Sequence, residues 1–542
     1  MNLVESKPFL RIPPFPGARA ASLVGAVPSA APLGSDVADL VAAIRQAKVG
    51  GDYWAKQPAL PAHRYTLVRV ADSASAETFV AADGQVLLWN DKPSVSSWQV
   101  SGSCDPWHLL KNAKRVIVDA DDEVALIAAI VGVSVETVGS GRFSDLSDGD
   151  ASSVEDAVSR HVAAVAHVDP FTGEQIAVSA AVRLCGFWRD LINRNRGIST
   201  ALGFAFWKRP TVAPLLWAGE AVPFASDLKG APAGAVAIWK SRTPPQMIQS
   251  LEDDGVPLIE VEDGFIRSTG LGADCVPPLS IVVDRQGVHF DPSQPSDLED
   301  LLQDGSFDDG ILARARHLRE VIVALGVSKY GSGSALLSRR VPDRRHVLVP
   351  GQVEDDRSVL SGGGPVSGNL DLLKRARAEA PDAFIIYKPH PDVEAGHRVG
   401  GIPEAECLNF ADEVVRDQPI SALIDLADEL HVNTSLAGFE ALLRSKLVTT
   451  HGIPFYAGWG LTRDLGPVPG RRTAKRTLDE LVAAVLLIYP RYLDPVTGLP
   501  CPPEILVHRI AEGGGVSQGG AVVQLRRFQG RWKKRLAGLG SR

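Results

Sequence analysis

The stretch Glu429-Leu430-His431-Val432-Asn433-Thr434-Ser435-Leu436-Ala437-Gly438-Phe439-Glu440-Ala441-Leu442-Leu443 decides the fold class. Residues 429–432 suit a short buried strand, and residues 437–443 suit an apolar helix. Asn433, Thr434 and Ser435 between them are turn and helix-capping residues. A further strand is expected at 447–450. The pattern extends upstream, with strands at 346–349 and 383–387 and helices at 370–378 and 420–426. Strands that alternate with helices make a parallel sheet, and in such sheets ligands bind at the carboxyl ends of the strands.

Moving outward, strands are expected at 235–239 and 257–261 with a helix at 245–253 between them. A hairpin about Arg285-Gln286 is expected to join strands at 279–284 and 287–291. Helices follow at 298–302 and 310–325, and the glycines and proline of 328–343 read as a linker. Residues 1–35 are rich in Pro, Ala and Gly and read as irregular. Beyond them come a helix near 37–44, strands at 85–89, 116–118 and 134–138, and a helix at 123–131. Residues 113–127 align with 427–441, and Asp169-Pro170-Phe171-Thr172-Gly173 matches Asp494-Pro495-Val496-Thr497-Gly498 in the same order. Two matches in order point to an internal duplication. In the first copy Asp121 stands for Ser435 and Leu126 for Glu440, so residues 1–195 read as a degenerate module with a structural role.

Composition narrows the classes. A chain of 542 residues suits roughly three domains. Apolar content of 45% and charged content of 22% are those of a globular protein. No apolar run reaches the ~18 residues of a membrane span, and residues 1–16 carry no export signal. The cysteines, 5 in all, are scattered without a C-x-x-C pair, which argues against zinc and disulfides and for a reducing compartment. A net charge of −8 argues against general nucleic-acid binding. The tail, 516–542, differs: seven Arg and Lys residues interleave with Leu, Phe and Trp. It reads either as a surface anchor on anionic lipid or as a frayed terminus.

Four motifs stand where apolar runs stop. Glu262 and Asp263 end a buried-looking strand before Gly264, where glycine permits a sharp turn. A carboxylate there acts as base or nucleophile, or merely caps a turn. Arg267, nearby, has the fork that grips a substrate carboxylate at two points. Lys388 and His390, on a loop stiffened by Pro389 and Pro391, suit a phosphate. Thr434 and Ser435 precede a helix whose free N–H groups attract anions, with plain capping as the alternative; Glu440 one turn on suits sugar hydroxyls. Gln352 follows the strand at 346–349. Trp459, in Gly458-Trp459-Gly460, either walls a cleft or fills a core. No metal-ligand cluster is visible, and Gly362-Gly363-Gly364 lacks the Lys-Ser/Thr of a phosphate-binding loop.

These residues fall in motifs that resemble the capsule polysaccharide synthesis proteins of the KpsC type, the retaining β-Kdo transferases. The motifs are V-E-D-G-F-I-R-S-T-G-L-G (261–272), P-L-S-I-V-V-D (278–284), P-S-D-L-E (295–299), P-G-Q-V-E-D-D (350–356), Y-K-P-H-P-D-V-E-A-G-H-R (387–398), T-S-L-A-G-F-E-A-L-L-R (434–444) and P-F-Y-A-G-W-G-L-T (454–462). The resemblance implies an α/β fold with two Rossmann-like domains in a GT-B-like arrangement, at 196–335 and 336–515, preceded by the degenerate α/β module. It implies a CMP-Kdo donor, a Kdo- or phospholipid-linked acceptor, retention of the β configuration and no cofactor. It also implies a cytoplasmic setting at the inner membrane within a capsule synthesis and export complex. Asp263 would be the nucleophile, Glu262 and Arg267 its catalytic partners, and Gln352, Lys388, His390, Thr434, Ser435, Glu440 and Trp459 the substrate-binding set. Such proteins usually carry two complete modules, whereas only the second is complete here, and the family's G-x-Y-Y-D tyrosine is replaced at His289-Phe290. Two alternatives are another GT-B-type transferase resembling sialyltransferases and a non-catalytic scaffold of capsule assembly.

Overall fold

A computed structural model describes residues 7–25, 36–71, 79, 85–91, 98–148, 150–228, 230, 232–267, 276–328, 331–332, 337–396 and 398–513. The basic tail, residues 268–272 of the first motif with the three that follow, His397 and part of the expected linker lie outside them. The chain folds into two compact units, Met1–Gly197 with Leu216–Val222, and Ile198–Leu215 with Pro223–Arg542.

The first unit is built on a parallel sheet in the order Trp98–Val100, Val86–Trp89, Tyr65–Arg69, Ala113–Asp119, Ser134–Val138. The helix Glu123–Val131 follows the fourth strand because Asp122 accepts the amide of Val124 and Gly132, in the left-handed region, ends it.

The second unit contains two sheets. One is mixed, in the order Pro500–Cys501, Pro490–Leu493, Ser280–Asp284, Leu258–Asp263, Ala235–Ile238, Ile198–Leu202, Phe224–Ala225. The strands from Leu258–Asp263 to Phe224–Ala225 run parallel, and Ser280–Asp284 returns antiparallel to Leu258–Asp263. The other sheet is parallel throughout, in the order Glu413–Val414, Phe384–Lys388, His346–Pro350, Glu429–Val432, Leu447–Thr450, Arg463–Asp464. Counted along the chain, this is the 3-2-1-4-5-6 order of nucleotide-binding folds. Its apolar face packs Val347, Val349, Ile385 and Tyr387 against Leu372, Leu373 and Ala376 of the helix Asn369–Glu379.

Two expectations are corrected. Residues 287–291 form no strand: the Asp284 carboxylate accepts the amides of Gln286, Gly287 and Asp297 at 3.0 Å each, which closes a turn where a hairpin was expected. The C-terminal strands Pro490–Leu493 and Pro500–Cys501 join the first sheet of the unit, not the second, so residues 336–515 are not one continuous module.

The aligned segments share more than sequence. The first unit's sheet has the strand order of the all-parallel sheet without its last strand. In each copy an α-helix, Ala151–Val158 or Leu478–Val482, widens into π turns, Ser159–Ala163 or Ala483–Ile488. A two-stranded antiparallel turn then follows, and after it a helix. The turns carry the same bonds: Gly173 N–H donates to Asp169 O at 2.8 Å and Gly498 N–H to Asp494 O at 2.9 Å. Both glycines have φ above 70°, in the region that favours glycine.

On the same face as Val347 and Val349, the all-parallel sheet carries a buried polar row. Glu429 Oε1 accepts from Thr449 Oγ1 at 2.7 Å and from His431 Nε2 at 3.1 Å, and His431 Nδ1 faces His451 Nε2 at 3.1 Å. His431 is 1% and His451 3% exposed. Burial, with His431 adding to it, lowers His451 to about 4. A histidine depressed in the folded state stabilises above its unfolded pKa of about 6.5, and that contribution is lost as pH falls towards the folded value. We therefore expect the melting-temperature advantage of wild type over His451→Gln to shrink by roughly 4–8 °C between pH 7.5 and 4.5, equivalent to about 2 kcal/mol. A pH-independent difference would show that His451 does not stay neutral in the fold.

Candidate functional site

The strand Leu258–Asp263 brings three carboxylates to its end, Glu260, Glu262 and Asp263. Side chains alternate along a strand, so Glu260 and Glu262 share one face and Asp263 takes the other. Asp263 Oδ1 accepts from Lys208 Nζ at 3.0 Å and Oδ2 from Arg267 Nε at 2.7 Å. Burial pushes its carboxyl up, but Arg267 and Lys208 together outweigh that and hold it well below the usual range. Glu262 Oε1 accepts from Arg357 Nη1 at 2.7 Å. Here burial wins, the Asp263 charge adds to it, and Glu262 is raised to about 7 despite Arg357. Adjacent residues are thus pushed apart, one ionised and one poised to exchange a proton near neutrality.

The turn after the strand is set by close approach. Gly264 N–H donates to Ser280 O at 3.0 Å, and a Cβ at Gly264 would come within 2.2 Å of Ser280 Oγ. Phe265 then packs on His289 at 4.8 Å and Phe455 at 4.8 Å between ring centroids. Arg267 is 1% exposed and also donates to Val276 O at 2.8 Å. It is committed to Asp263 and the turn, so the expected two-point grip on a substrate carboxylate is corrected: Arg267 positions Asp263.

Two cations of this site had no place in the sequence reading. Lys208 comes from the loop after the strand Ile198–Leu202, and its Nζ lies 3.3 Å from the centroid of the Trp239 ring. Burial lowers its pKa, against the pull of Asp263. The signal was Trp207-Lys208-Arg209-Pro210 directly after an apolar run. Arg357 opens the helix Arg357–Gly362, capped by Asp356, immediately after the acidic residues Glu354, Asp355 and Asp356. Its position behind an acidic tract gives no local sign of a buried role.

The remaining residues gather at the strand ends of the all-parallel sheet. Gln352 and Thr434 hold each other: Gln352 Nε2 donates to Thr434 Oγ1 at 3.0 Å and Thr434 N–H to Gln352 Oε1 at 2.9 Å. Gly351 N–H donates to Lys388 O at 2.8 Å, which ties this pair to the Lys388 loop. Lys388 Nζ donates to Arg416 O at 3.0 Å, and burial lowers its pKa. His390 caps the helix Pro391–Glu394, its Nδ1 accepting Asp392 N–H at 3.1 Å, so its own proton sits on Nε2. Ser435 caps the helix Leu436–Leu443 through the amide of Ala437, with Glu440 buried in its second turn. A Cβ on Gly362 would lie 3.1 Å from Thr434 Cγ2, so the helix that carries Arg357 spans from the carboxylates to Thr434. Trp459 is corrected: it is 0% exposed, its indole N–H donates to Phe455 O at 2.9 Å, and it fills the core instead of walling a cleft.

A sequence model of the family described as capsule polysaccharide biosynthesis protein matches residues 234–492. The chain is 38% identical over 338 residues to the capsule polysaccharide modification protein LipA of Neisseria meningitidis serogroup A, covering 61% of this chain and 48% of that one. It is 47% identical over 241 residues to the lipopolysaccharide-processing protein LpsZ of Rhizobium meliloti, covering 44% of this chain and 54% of that one. The chain thus spans about half the length of the curated relatives it matches. Among solved structures it is similar to the β-Kdo 2,4 transferase of KpsC from Thermosulfurimonas dismutans. There the identity is 31% and the TM-score 0.51, covering 58% of this chain and 98% of that one. With its paired Rossmann-like sheets and this likeness, the chain belongs to the KpsC-type capsule polysaccharide biosynthesis proteins.

Proposed function

We propose that the chain is a glycosyltransferase that moves Kdo from CMP-Kdo to a lipid-linked acceptor with retention of the β configuration. One observation carries the reading: Asp263 is held ionised by Lys208 and Arg267 beside a Glu262 raised to about 7. Retention by double displacement needs such a pair. In the first step an Asp263 oxygen attacks the anomeric carbon as the bond to the CMP phosphate breaks, and CMP leaves with the electron pair. In the second, the acceptor hydroxyl gives its proton to ionised Glu262 and attacks the same carbon, which frees Asp263. Two inversions give net retention.

Lys388 and His390 are assigned to the departing phosphate. Lys388 spends one N–H on Arg416 O and has two more, and His390 Nε2 carries a proton to donate. The amides opening the helix Leu436–Leu443 add positive dipole, and Glu440 is assigned to the sugar or ribose hydroxyls. Gln352 and Thr434 hold these loops in register. The acceptor is a Kdo- or phospholipid-linked glycan at the cytoplasmic face of the inner membrane, reached through the basic tail, and the partner is a capsule synthesis and export complex. The strand ends of the first unit carry no such set among the described residues, so one catalytic centre is proposed.

Incubating the full chain with CMP-Kdo and a Kdo-lipid acceptor should add Kdo mass to the acceptor. Without acceptor, intact-protein mass spectrometry should find a Kdo increment that maps to the peptide holding Glu262 and Asp263 and vanishes in Asp263→Asn. Full transfer by Asp263→Asn, or an adduct on another residue, would sink the nucleophile assignment. Donor binding is tested separately. Lys388→Ala and His390→Ala should each weaken CMP binding by about tenfold or more in calorimetry, the loss of one charge-assisted bond. Unchanged affinity in both would remove them from the phosphate site.

A further inference from the structure

Arg357 stands apart from the other cations of the site because it comes from the all-parallel sheet's side of the unit. Lys208, Lys240 and Arg267 all follow strands of the mixed sheet. The Arg357 guanidinium divides its fork between two carboxylates, with Nη1 on Glu262 Oε1 at 2.7 Å and Nη2 on Glu260 Oε1 at 2.8 Å. Its Cζ lies 5.1 Å from the centroid of the Phe290 ring, within cation–π range. The two glutamates are on one face of the strand, and only a planar fork reaches both at bonding distance.

We infer that Arg357 is a positioning residue that ties the helix Arg357–Gly362 to the carboxylate strand and governs when Glu262 holds its proton. The inference rests on the reading of Glu262 as the proton-exchanging group. The charges around Glu262 support it. On its own strand stand Asp263 and Glu260, which oppose its ionisation, while Lys208, bonded to Asp263, favours its charged form without touching it. Lys240 Nζ, at 3.4 Å, serves Glu260. Across the register, Asp284 opposite Glu260 is occupied by backbone amides and Tyr489. The phenylalanine beneath adds no charge. Arg357 is therefore the cation bonded to Glu262 among the described residues, and it favours the ionised form that the second transfer step needs. Because Arg357 belongs to the helix that also abuts Thr434, displacement of that helix would withdraw the cation and leave Glu262 protonated.

The test uses the full chain with Arg357→Gln, Arg357→Lys and Glu262→Gln. The first arm needs no substrate. A carboxyl raised in the fold gives stability that is present below its unfolded pKa of about 4.5 and lost as pH rises through the folded value. Glu262→Gln should therefore gain in melting temperature relative to its parent as pH rises from 5 to 8.5. In the Arg357→Gln background the pH at which that gain levels off should move up by about one unit or more, and in Arg357→Lys by less. A levelling-off pH that is unmoved in both backgrounds overturns the inference. The second arm is the pH profile of kcat/KM with CMP-Kdo. Its ascending limb should shift upward by a similar amount in Arg357→Gln, whereas a fall by the same factor at every pH would mean that Arg357 only supports the fold. A wild-type protein inert towards CMP-Kdo would count against the Kdo reading alone, and the melting comparison then decides the role of Arg357.

Discussion

Three carboxylates within four residues of one strand set the terms for everything built around them. Removing an ionised carboxylate from water costs several kcal/mol even after relaxation, and Glu260, Glu262 and Asp263 are all at least largely buried. Four cations offset this, each from a different segment: Lys208, Lys240, Arg267 and Arg357. Parallel strands make the arrangement feasible, because the loops after Ile198–Leu202, Ala235–Ile238 and Leu258–Asp263 emerge at the same edge. Buried ion clusters rarely outperform apolar packing in stability, so this one is better explained by chemistry than by folding. Most of the stabilisation comes from elsewhere, such as the apolar cluster under the helix Asn369–Glu379.

The first unit keeps the same scaffold without a matching set of carboxylates and cations among the described residues. It has the strand order, the α-to-π helix and the Asp-Pro-x-Thr-Gly turn of the later copy. Each is a packing or backbone feature. The polar positions have changed: Leu126, 0% exposed, stands where the later copy has Glu440. At its strand ends Arg69 lies 3.7 Å from the Trp89 ring centroid and pairs with Asp122 at 2.8 Å. Those groups satisfy one another. Retained scaffold with internally paired strand ends fits a structural module.

What was legible in the sequence was whatever has a short period or a local partner. The αβ units at 113–138 and 429–450 were readable because a polar turn separates each strand from its helix. Asp263 and Glu262 were readable because they interrupt an apolar run. Contacts distant in sequence were not. Lys208 meets Asp263 across 55 positions and Arg357 meets Glu262 across 95, and neither partner can be read from the residues next to the lysine or the arginine. The same blindness misplaced Arg267 and Trp459, since exposure is a property of the packed chain. The false hairpin at 279–291 came from alternation that the Asp284 carboxylate overrides by collecting three amides. The return of Pro490–Leu493 to the first sheet is a topological choice that local pattern does not encode.

The division of labour between Glu262 and Asp263 follows from the simplest property of a strand. Consecutive side chains point to opposite faces, and side chains two apart share one. Glu260 and Glu262 therefore share Arg357, while Asp263 meets Lys208 and Arg267. Arg357 divides its fork between Glu262 and Glu260, which Lys240 also serves, so Glu262 is left short of compensation and burial raises it. Two cations on one carboxylate overcompensate Asp263, and it stays ionised in spite of burial. A slip of one residue in the pairing with Ser280–Asp284 would exchange the two environments and leave the aspartate as the proton-exchanging group. The close approach of Gly264 to Ser280, which no larger residue tolerates unshifted, ends the ladder at this register. The backbone pairing of two strands thus places neighbouring carboxylates in opposite electrostatic environments.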